Sequence, residues 1–483
     1  TEAHDFTIKV DAQGLMPGQR YYYRFRSSGA TSPVGAATTL PDGSVEQVRL
    51  AVVSCSNYPA GYFHVYREVA NQADLDAVVH LGDYIYEYSS DPDSYASEDA
   101  QELGRTFPEN NNRELLTLAD YRRRYAIYRE DPDLQLAHQR LPFIVVWDDH
   151  EVANDTWRNG AENHDDSEGD FEQRKLAALQ AFFEWMPIRP VIEGNDEAIY
   201  RSFRFGDLVD LHMLDTRIIG RDQQLDYLNY LSEAGLNVDQ FTADVTDPNR
   251  TLLGAEQRLW LQNKLATSTG RWQVLGQQVL MGRMDLPAEL LLAIATETFD
   301  DLPATLQELA TLKGMQLQGM PLTEEQEARI GTAAPYNLDA WDGYQAEREV
   351  VLGMARQLDK NLVVLAGDTH NAWANNLKDM NGNQVGVEFA TASVSSPGLE
   401  DYLGLPDAMI ADAEQGIGLL VDGLDYLNIN QRGYMVVTFT QEEARANWYF
   451  VDTVKSREYT VDNSRSAARK SLPGAGNRTV DPV

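Results

Sequence analysis

Three short segments hold the residues able to do chemistry: Gly82-Asp83-Tyr84-Ile85-Tyr86, Trp147-Asp148-Asp149-His150-Glu151 and Gly367-Asp368-Thr369-His370. Each follows an apolar run of strand length, over 75–81, 141–146 and 361–366. Carboxylates and imidazoles at the carboxyl ends of several buried strands suit a metal-dependent hydrolase. The strands fix the ligands, and the open end of the sheet admits substrate. One such segment would carry little weight; three in one chain argue for a shared site.

The side-chain types narrow the metals. Tyr86 follows Asp83 by three residues, so a Gly-Asp turn can aim both at one ion. A phenolate is a hard, anionic donor that suits ferric iron better than zinc or magnesium. Cys55 closes the run Val48-Arg49-Leu50-Ala51-Val52-Val53 and falls beside Asp83 in a sheet. Alone it reads as a small buried core residue; beside Asp83 and Tyr86 it reads as a second donor favouring iron. Asp148 and Asp149 are adjacent carboxylates that repel each other unless cations neutralise them. Asn154 and Asp155 add oxygen donors that suit calcium or another hard divalent ion. A helix N-terminus with an acidic first turn would account for one of the two aspartates, but not for the His-Glu and Asn-Asp that follow. The planar fork of Arg158 matches phosphate oxygens. Asp368 and His370 alternate, so they share one face if strand geometry continues through them.

The elements that must position these residues are legible in outline. Residues 1–45 read as a small β module, with strands over Phe6–Val10 and Tyr21–Phe25. From residue 46 to 452 strands interleave with helices, among them helical stretches over 62–73 and 170–186 and a hairpin over 200–215 turning at Gly206-Asp207. The hairpin favours an α/β/β/α sandwich over a purely parallel sheet. Residues 283–335, rich in Leu, Glu, Met and Ala, read as a helical insertion, either a wall of the site or a decoration. A terminal hairpin over 434–451 precedes a polar tail, 453–483, which is an extended strap or a disordered segment.

A chain of 483 residues with 43% hydrophobic content can bury a large core, and no run approaches the ~18 apolar residues of a membrane span. A net charge of −35 excludes nucleic acid as a stable partner through a general basic surface. Acid in excess with only eight lysines resembles proteins of saline environments; an ordinary acidic exported enzyme is the alternative. Cys55 is the single cysteine, so no intrachain disulfide forms.

Taken together, the motifs resemble the PhoD-like alkaline phosphatases of the calcineurin-like metallophosphoesterase superfamily. The matching pieces are Ser54-Cys55, the segment from Gly82 to Glu87, the segment from Trp147 to Val152, the run Leu338-Asp339-Ala340-Trp341-Asp342-Gly343-Tyr344, Gly367 to His370, and Ser395-Ser396-Pro397-Gly398. The resemblance implies a metallophosphoesterase sandwich behind a truncated fibronectin-III-like module. It also implies hydrolysis of phosphomonoesters, and of phosphodiesters as a further class, by metal-activated oxygen attack at phosphorus. The implied cofactors are one Fe3+ and two Ca2+. By motif, Cys55, Asp83, Tyr86 and His370 would bind iron, with Asp83 bridging to calcium. Asp148, Asp149, Asn154 and Asp368 would bind calcium. His150 would stand beside the leaving group and Arg158 would meet the phosphate. Asn337, Trp341 and Tyr344 fall either on the site wall or in packing. The resemblance further implies an extracellular or periplasmic location; the oligomeric state stays open. Competing readings are a phosphodiesterase or phospholipase-type enzyme on the same fold, and a non-catalytic calcium-binding module. The second would need none of Cys55, Tyr86, His150 and His370.

Overall fold

The apolar runs pair into two seven-stranded mixed sheets. The computed structural model describes the chain except residues 189, 193, 233, 234, 297 and 300. In the first sheet the strand order is Asp481–Pro482, Ala467–Ser471, Ala444–Phe450, Gly433–Phe439, Val48–Val53, Ala77–His80 and Phe143–Val145. The last three are parallel to one another. In the second the order is Leu424–Asn428, Ala372–Lys378, Gln384–Ala390, Leu362–Ala366, Trp272–Gly276, Val209–Met213 and Arg201–Phe205, with a parallel centre and antiparallel edges. The central strands are buried throughout; Leu362–Ala366 is apolar on both faces, whereas Val209–Met213 carries Asp210 and His212 on one.

The sheets face each other. Trp448 of the first donates its indole N–H to Ala390 O of the second at 2.8 Å, and Trp272 of the second donates to Thr440 O at 2.7 Å. A bridge between Ser54 and Ser393 ties the carboxyl end of Val48–Val53 to the second sheet. Helices Leu118–Arg129, Pro132–Arg140 and Phe171–Trp185 contribute to the core that includes the first sheet. Helices Gly254–Thr267 and Gln345–Gln357 contribute to a second core against the other sheet. The result is the α/β/β/α arrangement expected from the hairpin.

The insertion forms helices Ala288–Ala295, Leu302–Leu317 and Glu324–Gly331, closed at its base by Asp285–Pro287 paired with Ala333–Pro335; its residues 297 and 300 lie outside the described residues. The tail from 453 is ordered as a strap. Its strand Ala467–Ser471 pairs with Ala444–Phe450, while Arg478 pairs with Asp359 and Val480 N donates to Asn376 on the second sheet. One expectation fails: Phe6–Val10 is not a strand. Phe6 has φ 55 and stays largely exposed, so its alternation has no partner strand to satisfy. The amino-terminal segment instead forms two ribbons, Arg20–Tyr23 with Gly35–Thr38 and Arg26–Ser27 with Ala30–Thr31.

Candidate metal centre and active site

Strand ends of both sheets converge. Gly82, at φ 112, is required where the loops meet, because a Cβ there would stand 2.3 Å from Asp148 Cβ. Cys55 (φ 62), Asp83 (φ 53), Asp155 (φ 52), Asp368 (φ 64) and His370 (φ 63) all adopt the left-handed region. That conformation costs ~1 kcal/mol or more per residue and concentrates at functional sites. It also corrects the alternation argument: the strand stops at Ala366, and turns at Asp368 and His370 send the two side chains to different clusters.

The first cluster is Cys55, Asp83 and His370, whose donor atoms lie within 4.8 Å of one another. Tyr86 joins it, its Oη 3.2 Å from both Asp83 Oδ2 and His370 Nε2. His370 Nδ1 lies 2.6 Å from Pro397 O, so Nδ1 carries the hydrogen and the Nε2 lone pair faces the cluster. Burial, then the nearby His150, lowers the His370 pKa to about 3 and keeps the ring neutral. Burial and the Asp83 carboxylate push the Cys55 thiol up.

The second cluster is Asp148, Asp149 and Asp368. Fully buried Arg217 stands among them: Nε donates to Asp148 Oδ1 at 2.5 Å and Nη2 to Asp368 Oδ1 at 2.8 Å, while Nη1 pairs with Asp339. Asp149 Oδ1 has no hydrogen-bond partner among the described residues, its nearest guanidinium nitrogen being 3.7 Å away. A buried carboxylate oxygen left without a partner is costly unless a cation faces it. Burial raises Asp368 to about 7, with Arg217 opposing and Asp339 and Asp149 adding to the rise. Asn154 stands at the cluster's edge, where its amide donates to Glu162 at 3.0 Å. Asp83 and His370 of the first cluster and Asp149 and Asp368 of the second line an open cavity of about 560 Å³, together with Tyr336, Leu338, Tyr402 and the insertion's Leu291, Ile294 and Ala295.

The model of the PhoD-like phosphatases matches residues 50–448, and that of the family's N-terminal domain matches residues 1–41. The chain belongs to the PhoD-like phosphatase family. It is 36% identical to alkaline phosphatase D of Bacillus subtilis (strain 168) over 404 residues, which cover 81% of this chain and 58% of that protein. It thus spans about three fifths of the length of the curated relative it matches. A solved structure of PhoD superposes with a TM-score of 0.74 at 31% identity, covering 98% of this chain and 79% of the other. No helix among the described residues is long and apolar enough to cross a membrane.

Within this PhoD-like site, the structure adds residues that the motifs had not singled out. Glu87 lies with Oε2 2.7 Å from His150 Nδ1, and its other oxygen accepts from Asn154 N and Asn163. The His150 ring also stacks on Tyr86, centroids 4.1 Å apart. Burial alone would lower the His150 pKa, but Glu87, Asp149 and Asp83 together hold it well above the ordinary imidazole value. Glu151 accepts from the backbone N–H of Asp83, Tyr84 and Asp148, joining two of the three loops. Arg217 had a signal: Asp215-Thr216-Arg217 follows the strand Val209–Met213 just as the other motifs follow theirs.

Three expected residues lie elsewhere. Arg158 is turned to the surface, pairing with Asp222 at 3.0 Å, and does not line the cavity. The buried cationic role falls to Arg217, whose strand points into the site. Trp341 is completely buried, donating to Gln277 beneath the cavity, and Tyr344 is buried with its hydroxyl on Asp222 O. Both belong to the 3-10 turn Trp341–Tyr344, all four residues of which are buried, and serve packing. Of that trio only Asn337 lines the cavity.

Proposed function

We propose that this chain is an exported alkaline phosphatase that hydrolyses phosphate monoesters. The observation that carries the reading is the convergence of Cys55, Asp83, Tyr86 and His370 beside Asp148, Asp149 and Asp368 under one open cavity. A thiol, a phenol and an imidazole around a carboxylate suit one ferric ion, and the carboxylates edged by Asn154 suit two calcium ions. The unpartnered Asp149 oxygen and the mixed soft and hard donor set fit those ions. When bound, the ions neutralise phosphate charge and make water a stronger nucleophile.

The chain's own residues supply position and proton. Glu87 and the Tyr86 ring fix the His150 imidazole, leaving Nε2 for the cavity. As water oxygen bonds to phosphorus and the ester P–O bond breaks, the His150 proton passes to the departing oxygen, giving the alcohol and inorganic phosphate. A proton released from the attacking water restores His150. The size of the cavity supports a second reading in which one phosphate oxygen carries a further substituent, so that phosphodiesters are also cleaved.

Elemental analysis of the purified chain together with turnover of p-nitrophenyl phosphate tests the proposal. Iron and calcium near one and two per chain, with turnover lost in Asp83→Ala, are expected. Zinc, manganese or magnesium alone would overturn the iron assignment. Unchanged turnover in Asp83→Ala would overturn the enzyme reading.

A further inference from the structure

The cavity above the clusters has an unusual charge balance for a site that receives an anion. None of the described residues lining it is lysine or arginine. Two carboxylates, Glu162 and Asp226, stand on its exposed wall. Glu162 accepts from Asn154 and Asp226 caps Leu228 N at 2.8 Å; neither is ion-paired among the described residues. Four aromatic residues also line the cavity: Trp157, Tyr227, Tyr336 and Tyr402. The Tyr402 ring is tethered by its hydroxyl, 3.0 Å from Tyr95 Oη. Once the floor has taken up the phosphate and His150 the leaving oxygen, the rest of the ester meets only neutral, aromatic or acidic groups.

Aromatic faces and carboxylates attract ammonium groups and repel anions. Resting on the phosphatase reading, we infer that the substrates of this site are esters with a single phosphate whose organic part carries an ammonium group. Polyphosphates and esters of hydroxy acids are disfavoured, because a second anionic group would face Glu162 and Asp226 with no cation to receive it. The reaction is the hydrolysis already balanced, with an amino alcohol as the product. The same ammonium ester can come from a soluble metabolite or from a lipid headgroup.

The test measures kcat/KM of the metal-loaded chain for phosphocholine, for 3,3-dimethylbutyl phosphate, which replaces its nitrogen by carbon, and for 3-phosphoglycerate. The expected order is cationic, neutral, anionic. The ratio of cationic to neutral ester should fall about tenfold in Glu162→Gln/Asp226→Asn and several-fold in Tyr402→Leu, which keeps bulk but loses the π face. Intrinsic reactivities of the esters cancel when ratios are compared between variants. A ratio unmoved by both variants overturns the inference and leaves the phosphatase reading intact. No turnover of any ester overturns that reading and the inference with it. Vesicles of phosphatidylcholine locate the source: their turnover above that of phosphocholine favours the headgroup, the reverse the soluble ester.

Discussion

His150 Nδ1 lies 2.7 Å from Glu87 Oε2, a contact that orients the ring facing the cavity and leads the carboxylates that raise its pKa. Glu87 is buried, and its second oxygen is bonded to Asn154 N and Asn163, so the pair is held by the loop that also carries Asn154. An imidazolium built in this way is a proton donor to a poor leaving group.

His150→Ala is therefore expected to lower kcat for alkyl phosphates by ~10²–10⁴-fold. The loss should be far smaller for p-nitrophenyl phosphate, whose leaving group departs without a proton. Glu87→Gln should show the same leaving-group dependence in weaker form. Equal losses on both esters would assign His150 to phosphate binding instead.

Arg217 is buried with carboxylates on every side. Arg217→Met leaves those acids uncompensated, a change expected to cost ~3–5 kcal/mol in the metal-free chain. Calcium should restore more of the melting temperature in this variant than in wild type, because the ion takes over part of the cation's work. Equal calcium-induced shifts would argue that the guanidinium and the ion neutralise different acids.

Arg158, by contrast, pairs at the surface with Asp222. Exposed pairs contribute ~0–1 kcal/mol. Arg158→Ala should change kcat/KM less than about threefold; a loss of two orders of magnitude would return it to the site.

Cys55→Ser replaces the soft donor of the first cluster. The iron content of the purified protein should fall while calcium is retained, since Cys55 belongs with Asp83 and His370 and not with the three-carboxylate group. Loss of both metals together would mean that the clusters assemble as one unit.

Asp342 supplies a pH dependence away from the clusters. It is buried, with Met284 N donating to one oxygen and, among the described residues, no hydrogen bond to the other. Burial, then Asp285, raises its pKa from 3.8 to about 7. Between those values the folded chain holds a proton that the unfolded chain has released. Its effect on stability is absent below the lower value and becomes unfavourable as pH rises towards 7. Asp342→Asn should remove that decline, so its melting temperature relative to wild type should climb between pH 4 and 7 and then level off. A constant difference across that range would contradict the assignment.

Much of the site was legible because its residues follow the ends of apolar strand runs, where local patterning is strong. Cys55, Asp83, Tyr86, Asp149, Asp368 and His370 all come from such positions, Asp83 and Asp368 directly after a glycine. Arg217 comes from a strand end as well, but Asp215-Thr216-Arg217 contains no metal-ligand pair to draw attention to it. For Trp341 and Tyr344 the sequence left site wall and packing both open, and packing holds. The whole 3-10 turn Trp341–Tyr344 is buried, while the preceding residues Asn337, Leu338 and Asp339 line the cavity, a division that spacing does not encode. Phe6–Val10 alternates like a strand but finds no partner, since pairing depends on another segment arriving alongside.

The sequence by itself determined which donor types meet at the carboxyl ends of the strands, and hence the family and the class of chemistry, because local backbone geometry sets those positions. Tertiary structure decided that Asp368 and His370 join different groups of donors, which Asp83, Asp149 and His150 link, through left-handed turns that no periodicity encodes. It also decided which arginine is buried, which carboxylate holds His150, and that Glu162, Asp226 and four aromatic rings line the cavity. Those outcomes depend on side chains brought together from distant parts of the chain, where charge and burial, not spacing, set the partners.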